Sequence, residues 1–170
     1  MLDPTIVTLL DDQFGKELFS AYLYLSMANY YEEASLNGFA NWFFVQAQEE
    51  RDHAMLIRTS LLDNNAKMKM GAIKNPEGDF KDFLDPLKAS LEHEQYVTRS
   101  IHEIYAAAYQ AKDFRTMQFL DWFVKEQGEE EKTVEDLIQR FELFGRDPKG
   151  LYSLDQELGA RTYVQATLQA

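Results

Sequence analysis

Apolar residues recur at spacings of three, four and seven along four long stretches of the chain, the period of a helix with one buried face. Leu10, Phe14, Ala21, Leu25 and Ala28 mark the first such face, and Phe43, Ile57 and Leu61 the second. Leu87, Leu91, Ile101 and Ala108 mark the third, and Phe119, Phe123, Val134, Leu137 and Phe141 the fourth. Helix breakers fall between these stretches. Asp3-Pro4 supplies an N-cap and a first-turn proline and predicts a helix from about Pro4 to about Ser35, broken by Asn37-Gly38. A second helix is predicted over about Phe39–Asp63, a third over about Phe80–Ala111 and, after Lys112-Asp113, a fourth over about Phe114–Phe144. Gly145, Pro148 and Gly150 stop the fourth. The amphipathic run from Leu151 to Leu158 then predicts a short last helix, over about 150–163, ahead of a polar tail ending at Ala170.

Short links join the first pair of helices and the last long pair, which makes each an antiparallel hairpin. The polar stretch from Asn64 to about Asp79 must instead carry the chain back along the bundle, and an extended segment of that length spans a long helix. The expected fold is all-α: a four-helix bundle with a long crossover between helices two and three and a short C-terminal fifth helix. It forms one domain over residues 1–170, with the bundle over about 4–144.

Polar residues interrupt every apolar face. Glu17 and Tyr24 fall on the first, Gln46, Glu50 and His53 on the second, Glu94 on the third, and Gln127 and Glu130 on the fourth. Each glutamate lies near the middle of its predicted helix, and in antiparallel bundles midpoints meet at one level. Four carboxylates and one imidazole are therefore expected to converge at the centre of the bundle. Unneutralised, each buried carboxylate would cost several kcal/mol. Two divalent cations cancel four carboxylates, and a donor set of oxygens with one imidazole suits iron or manganese better than zinc. Glu50-Arg51-Asp52-His53 sets a carboxylate and an imidazole three residues apart on one helical face.

The charge balance agrees. Lys and Arg number 17 against 29 Asp and Glu, a formal net charge of −12, which attracts cations, repels phosphate backbones and so argues against a nucleic-acid partner. With 45% hydrophobic residues the acidity belongs to a folded chain. The absence of cysteine excludes disulfides, thiolate metal sites and cysteine nucleophiles, and suits a reducing, cytoplasmic setting. Met1-Leu2-Asp3-Pro4 lacks the basic and apolar regions of an export signal, and no stretch approaches the roughly 18 apolar residues of a membrane span, so no membrane association is expected.

Glu17, Glu50-x-x-His53, Glu94 and Gln127-x-x-Glu130, with Gly150-Leu151-Tyr152 opening the last helix, resemble the bacterial non-haem ferritins in order and spacing over nearly the whole chain. The resemblance implies a first iron site at Glu17, Glu50 and His53. It implies a second at Glu94 and Glu130 with Glu50 as bridge, Gln127 beside it and Tyr24 next to the pair. Glu49, Glu126, Glu129 and Glu130 resemble a third site facing a storage cavity. By the same resemblance the chain would be a ferroxidase. It would bind two Fe(II) per subunit, oxidise them with O2 or H2O2, and store ferric oxide-hydroxide inside a homo-oligomeric 24-mer shell with the fifth helix at the fourfold axes.

Some positions depart from related diiron families. Val97 stands three residues after Glu94, and Gln127 and Glu130 stand where a second Glu-x-x-His motif would, so the second iron is expected to be held more loosely and to leave for storage. Arg51 follows Glu50 where bacterioferritins carry the haem methionine, which argues against haem. Gly128 interrupts the acidic run that would supply the third site. The contrasting readings are a non-storing diiron redox enzyme and a metal-free structural bundle. His93 and His102 lie one position off the third face and are expected at the surface, while Met68 and Met70 are expected to pack the crossover.

Overall fold

The structure, a computed structural model, describes residues 2–76 and 78–168. Met1, Glu77, Gln169 and Ala170 lie outside the described residues, and with them the start of the N-terminal segment, one crossover position and the end of the polar tail. Among the described residues the regular elements are α1 (Pro4–Glu33), α2 (Asn37–Asp63), α3 (Asp85–Ala111), α4 (Phe114–Phe144) and α5 (Pro148–Leu158). None of these helices is long and apolar enough to cross a membrane.

Local chemistry explains the boundaries. Asp3 accepts from the Thr5 amide at 2.7 Å and Asp113 from the Thr116 amide at 3.1 Å, each capping the helix that follows. Other ends differ from the sequence expectation. α1 stops at Glu33, because Ser35 turns to a φ of 61° and the Leu36 amide folds back onto the Tyr31 carbonyl at 2.9 Å. α3 begins at Asp85 rather than near Phe80: Pro86 is tolerated only in a first turn, and the Asp82 carboxylate accepts from the amides of Leu84 and Asp85 at 2.8 and 3.1 Å. The expected span of about 150–163 for the fifth helix is also corrected. Asp147 caps its start by accepting from the Gly150 amide at 2.9 Å, the helix ends at Leu158 with Gly159 as its C-cap, and the following residues run back along α2.

Contacts fix the directions. Tyr24 meets Glu94, Ser20 meets His93 and Gln13 meets Ser100, so α1 and α3 run antiparallel. α1 is antiparallel to α2 and α3 to α4 through their short links, and α2 and α3 therefore run parallel, which is why the crossover spans residues 64–84. The apolar core is divided in two. One cluster, including Met27, Tyr31, Phe39, Phe43, Leu137 and Phe141, fills one half of the bundle, and another, including Ile6, Leu10, Ile57, Leu61, Ile101 and Leu120, fills the other. Between them lies a polar layer. Some residues on the first apolar line do not reach the core: Leu25 is 38% exposed, and Leu23 and Met27 are buried in its stead because the line drifts around α1. Met70 is exposed, whereas Met68 packs against the second cluster.

Asn37 and Gly38, expected as breakers, form the first turn of α2. That turn has no capping side chain of its own; Asp155 on α5 accepts from the Gly38 and Phe39 amides at 2.8 and 3.0 Å. The backbones close so tightly there that a Cβ on Gly38 would lie 1.6 Å from the Asp155 carbonyl oxygen. Gly128, in the middle of α4, is exposed, and a Cβ there would meet nothing within 4 Å.

The two glycines should respond oppositely to alanine. Gly128→Ala is expected to stabilise by about 1 kcal/mol through helix propensity, whereas Gly38→Ala should lower the thermal denaturation midpoint by pushing α5 off α2. Asp155→Ala should cost about 1–2 kcal/mol through the lost cap, and thermal denaturation followed by circular dichroism checks all three.

Candidate metal centre

The polar layer is made by residues from the middle of each long helix. Glu17, Glu50, Glu94 and Glu130 are all buried, together with His53, Tyr24 and Gln127. Side chains in this layer sort into overlapping groups whose potential ligand atoms lie within 4.8 Å of one another: Glu17, Glu50 and His53; Glu50, Glu94 and Glu130; and His53, Glu126 and Glu130. The His53 Nδ1 atom is 3.5 Å from Glu50 Oε2 and 3.9 Å from Glu17 Oε2. Glu17 Oε2, His53 Nδ1 and Glu130 Oε2 are buried without a hydrogen-bond partner. In a folded core such atoms are rare, and each belongs to a group that a cation would complete.

The remaining ligand atoms are held by amides and a phenol. Gln13 Nε2 donates to Glu17 Oε1 at 2.7 Å; Gln46 Nε2 donates to Glu130 Oε1 at 2.8 Å and Glu50 Oε1 at 3.1 Å; Gln127 Nε2 donates to Glu94 Oε2 at 3.0 Å. Tyr24 donates its hydroxyl to Glu94 Oε1. Gln13 is fixed in turn by Ser100, whose hydroxyl donates to it at 2.6 Å and accepts from Lys16 Nζ at 2.8 Å. Each carboxylate thus keeps at least one oxygen oriented by a neutral donor while others face the layer's interior.

The electrostatics are those of a site short of positive charge. Burial pushes the carboxyls of Glu17 and Glu94 up and those of Glu50 and Glu130 well up, and for the last two the neighbouring glutamates add to it. Burial alone would lower the His53 imidazole, but the carboxylates of Glu130, Glu17, Glu126 and Glu94 outweigh it and raise its pKa. Burial, then the carboxylates of Glu94 and Glu50, holds the Tyr24 phenol well above its usual range, so it stays a donor.

The third set of acids is divided. Glu126 joins His53 and Glu130, but Glu49 is paired with Arg161, and Glu129 faces solvent beside Lys125 at 3.3 Å. His93 is half-buried rather than exposed as expected. It sits between the rings of Phe19, Tyr24 and Tyr96, shares a 2.7 Å hydrogen bond with Ser20, and is pushed by burial to a pKa of about 4. His102 is exposed. Gln13 and Arg161 were not expected at the site. Gln13 had a signal, since it stands four residues before Glu17 as Gln46 stands four before Glu50, one helical turn in each case. Arg161 had none, because its place depends on where the tail returns.

A family model for the ferritin-like domain matches residues 7–144. The chain is 40% identical to the bacterial non-heme ferritin of Staphylococcus aureus strain USA300 over 163 residues, 96% of this chain and 98% of that one. It is 38% identical to the bacterial non-heme ferritin of Campylobacter jejuni over 156 residues, 92% of this chain and 93% of the relative. Among solved structures it superposes with a TM-score of 0.94 on an Archaeoglobus fulgidus ferritin engineered into a closed form, at 39% identity over 96% of this chain and 100% of that one. An open-pore ferritin from the same archaeon gives 0.93 at 40% identity, over 95% of this chain and 100% of that one.

Because the four core carboxyls bind protons more tightly folded than unfolded, the metal-free native state carries extra protons above the ordinary carboxyl pKa of 4.5, and their contribution to stability falls as pH rises through the raised values. His53, raised too, has the same sign. The drop in thermal midpoint of metal-free protein between about pH 5.5 and about pH 8 is therefore expected to be smaller in Glu130→Gln than in wild type. Equal drops would mean that Glu130 does not contribute to it.

Proposed function

The chain belongs to the ferritin family, and on that premise we propose that it is an iron-storage protein with ferroxidase activity. It would oxidise Fe(II) at the buried carboxylate–histidine layer and hold Fe(III) as a ferric oxide-hydroxide mineral inside a hollow shell of identical subunits. The observation that carries this reading is the double membership of Glu50, which belongs both to the Glu17–Glu50–His53 group and to the Glu50–Glu94–Glu130 group. A carboxylate shared by two adjacent donor groups is what a bridge between two metal ions requires.

Iron is the substrate here. Two Fe(II) ions give up one electron each, and O2 takes both with two protons and leaves as H2O2; if H2O2 is the oxidant, it takes two electrons and two protons and leaves as two waters. Glu17, Glu50 and His53 would hold the first ion, and Glu94 and Glu130 the second against the shared Glu50. Gln46 and Gln127 orient the carboxylates from outside, and the protonated Tyr24 donates to Glu94 beside the second ion. Two Fe(II) match the four carboxylates in charge. Oxidation adds two positive charges, which a water can balance by losing two protons to become a bridging oxide. The second group has no imidazole of its own, since Val97 stands where a Glu-x-x-His motif would place one, so its ion is the more readily released toward mineral.

Storage requires an enclosure that one bundle does not supply. Tyr109, Phe114, Leu143 and Tyr152 are each more than 60% exposed, apolar surface of the kind that assembly covers. We place this chain in a 24-mer, with α5 at the fourfold axes and the cytoplasm as its compartment.

Aerobic addition of Fe(II) to the purified protein, with particle mass and retained iron measured together, tests the whole reading. A large particle keeping far more iron than two ions per subunit is expected. In Glu50→Ala the initial oxidation rate should fall at least about ten- to a hundredfold, the loss typical of removing even an outer-shell partner of a metal site. A small particle keeping two ions or fewer would leave a diiron redox enzyme or a metal-free bundle in its place.

A further inference from the structure

Beyond α5 the chain returns along α2 and is tied to it. The Tyr163 hydroxyl and the Ala166 amide both donate to Asp52 Oδ2, the latter at 3.2 Å, and Asn41 Nδ2 donates to the Arg161 carbonyl at 2.9 Å. The Arg161 guanidinium lies 4.6 Å from the centroid of the Trp42 ring and donates to the Trp42 carbonyl at 3.3 Å and to Gln46 Oε1 at 2.9 Å. It also forms an ion pair with Glu49. Trp42, Gln46 and Glu49 follow one another up a single stripe of α2, and the guanidinium spans it.

The cation therefore sits at the edge of the metal layer. Gln46 is the amide that holds Glu50 and Glu130, and the bond from Arg161 to its oxygen fixes which way its NH2 faces. Glu49 is one of the acids that resemble a third metal site. Two other acids of that set, Glu126 and Glu130, lie with His53, and the Oε2 atom of Glu130 is buried and unpartnered. The guanidinium's ion pair already gives the Glu49 carboxylate its countercharge. An arginine keeps its charge at every physiological pH, and tethered in place it competes at an effective concentration on the order of millimolar.

We propose that Arg161 is a built-in competitor for the third metal: it occupies Glu49, and a third divalent ion joins Glu126 and Glu130 fully only when the tail releases that carboxylate. The proposal rests on the reading of the first two groups as metal sites. Occupancy of the third would then be set by the C-terminal tail rather than by the acids alone, and Gly128 would matter little, since it opens onto solvent.

Zinc, which binds without redox chemistry, is the probe. Equilibrium dialysis of the assembled protein at micromolar free zinc, followed by elemental analysis, should give one more zinc per subunit in Arg161→Gln than in wild type. Adding Glu49→Gln to that variant should abolish the gain, and Arg161→Lys, which keeps the charge, should stay near wild type. Tyr163→Phe loosens the tail without touching Arg161 and should give a partial gain, which decides the matter if Arg161→Gln fails to assemble. Equal uptake by wild type and the tail variants, with two zinc ions bound in each, overturns the proposal alone, as does a gain that survives Glu49→Gln. Fewer than two zinc ions in wild type overturns both the proposal and the reading of the first two groups.

Discussion

A carboxylate withdrawn from water into an apolar core persists only beside a proton or a cation, and this bundle withdraws four at one level. Much of the molecule is arranged around that condition. The apolar core splits into two clusters because the layer between them is given to acids, and each cluster supplies the dry wall that makes the acids demand a countercharge. Among the described residues His53 is the single basic group within the layer, raised by its neighbours but far from matching four negative charges. On the proposed function, metal completes the balance.

The donors around the layer show a division of labour. Neutral groups, the amides of Gln13, Gln46 and Gln127 and the phenol of Tyr24, each take up a carboxylate oxygen without adding charge. A lysine or arginine in the same places would neutralise the glutamates and remove the reason to bind iron. The charged alternative does occur, but one turn away: Arg161 pairs with Glu49 at the edge of the layer and reaches the core acids only through the amide of Gln46.

Much of this is legible in the sequence because helical periodicity and matched heights are local properties. Glu17, Glu50, His53, Glu94 and Glu130 interrupt clear apolar lines, and antiparallel packing of helices with short links fixes their level without further information. α4 begins and ends at its predicted residues because Asp113 and Gly145 are local signals. What the sequence leaves hidden depends on contacts between distant segments. Nothing within Asn37-Gly38 marks it as the start of α2, because the cap arrives from Asp155, and nothing around Arg161 says that the tail will lie on Trp42. His93 was hidden for a related reason: one position off the stripe is still half-buried when α1 presents Phe19, Ser20 and Tyr24 to it.

The cap that Asp155 places on α2 joins residues 117 positions apart. During synthesis the first turn of α2 leaves the ribosome 117 residues before that carboxylate exists, and its Gly38 and Phe39 amides stay bonded to water until α5 emerges. The helix that carries Gln46, Glu50 and His53 is thus finished at its beginning by a residue of α5. A chain interrupted before Asp155 would hold these residues on a helix frayed at its start, and complete order in the polar layer reports that α5 has been made and docked.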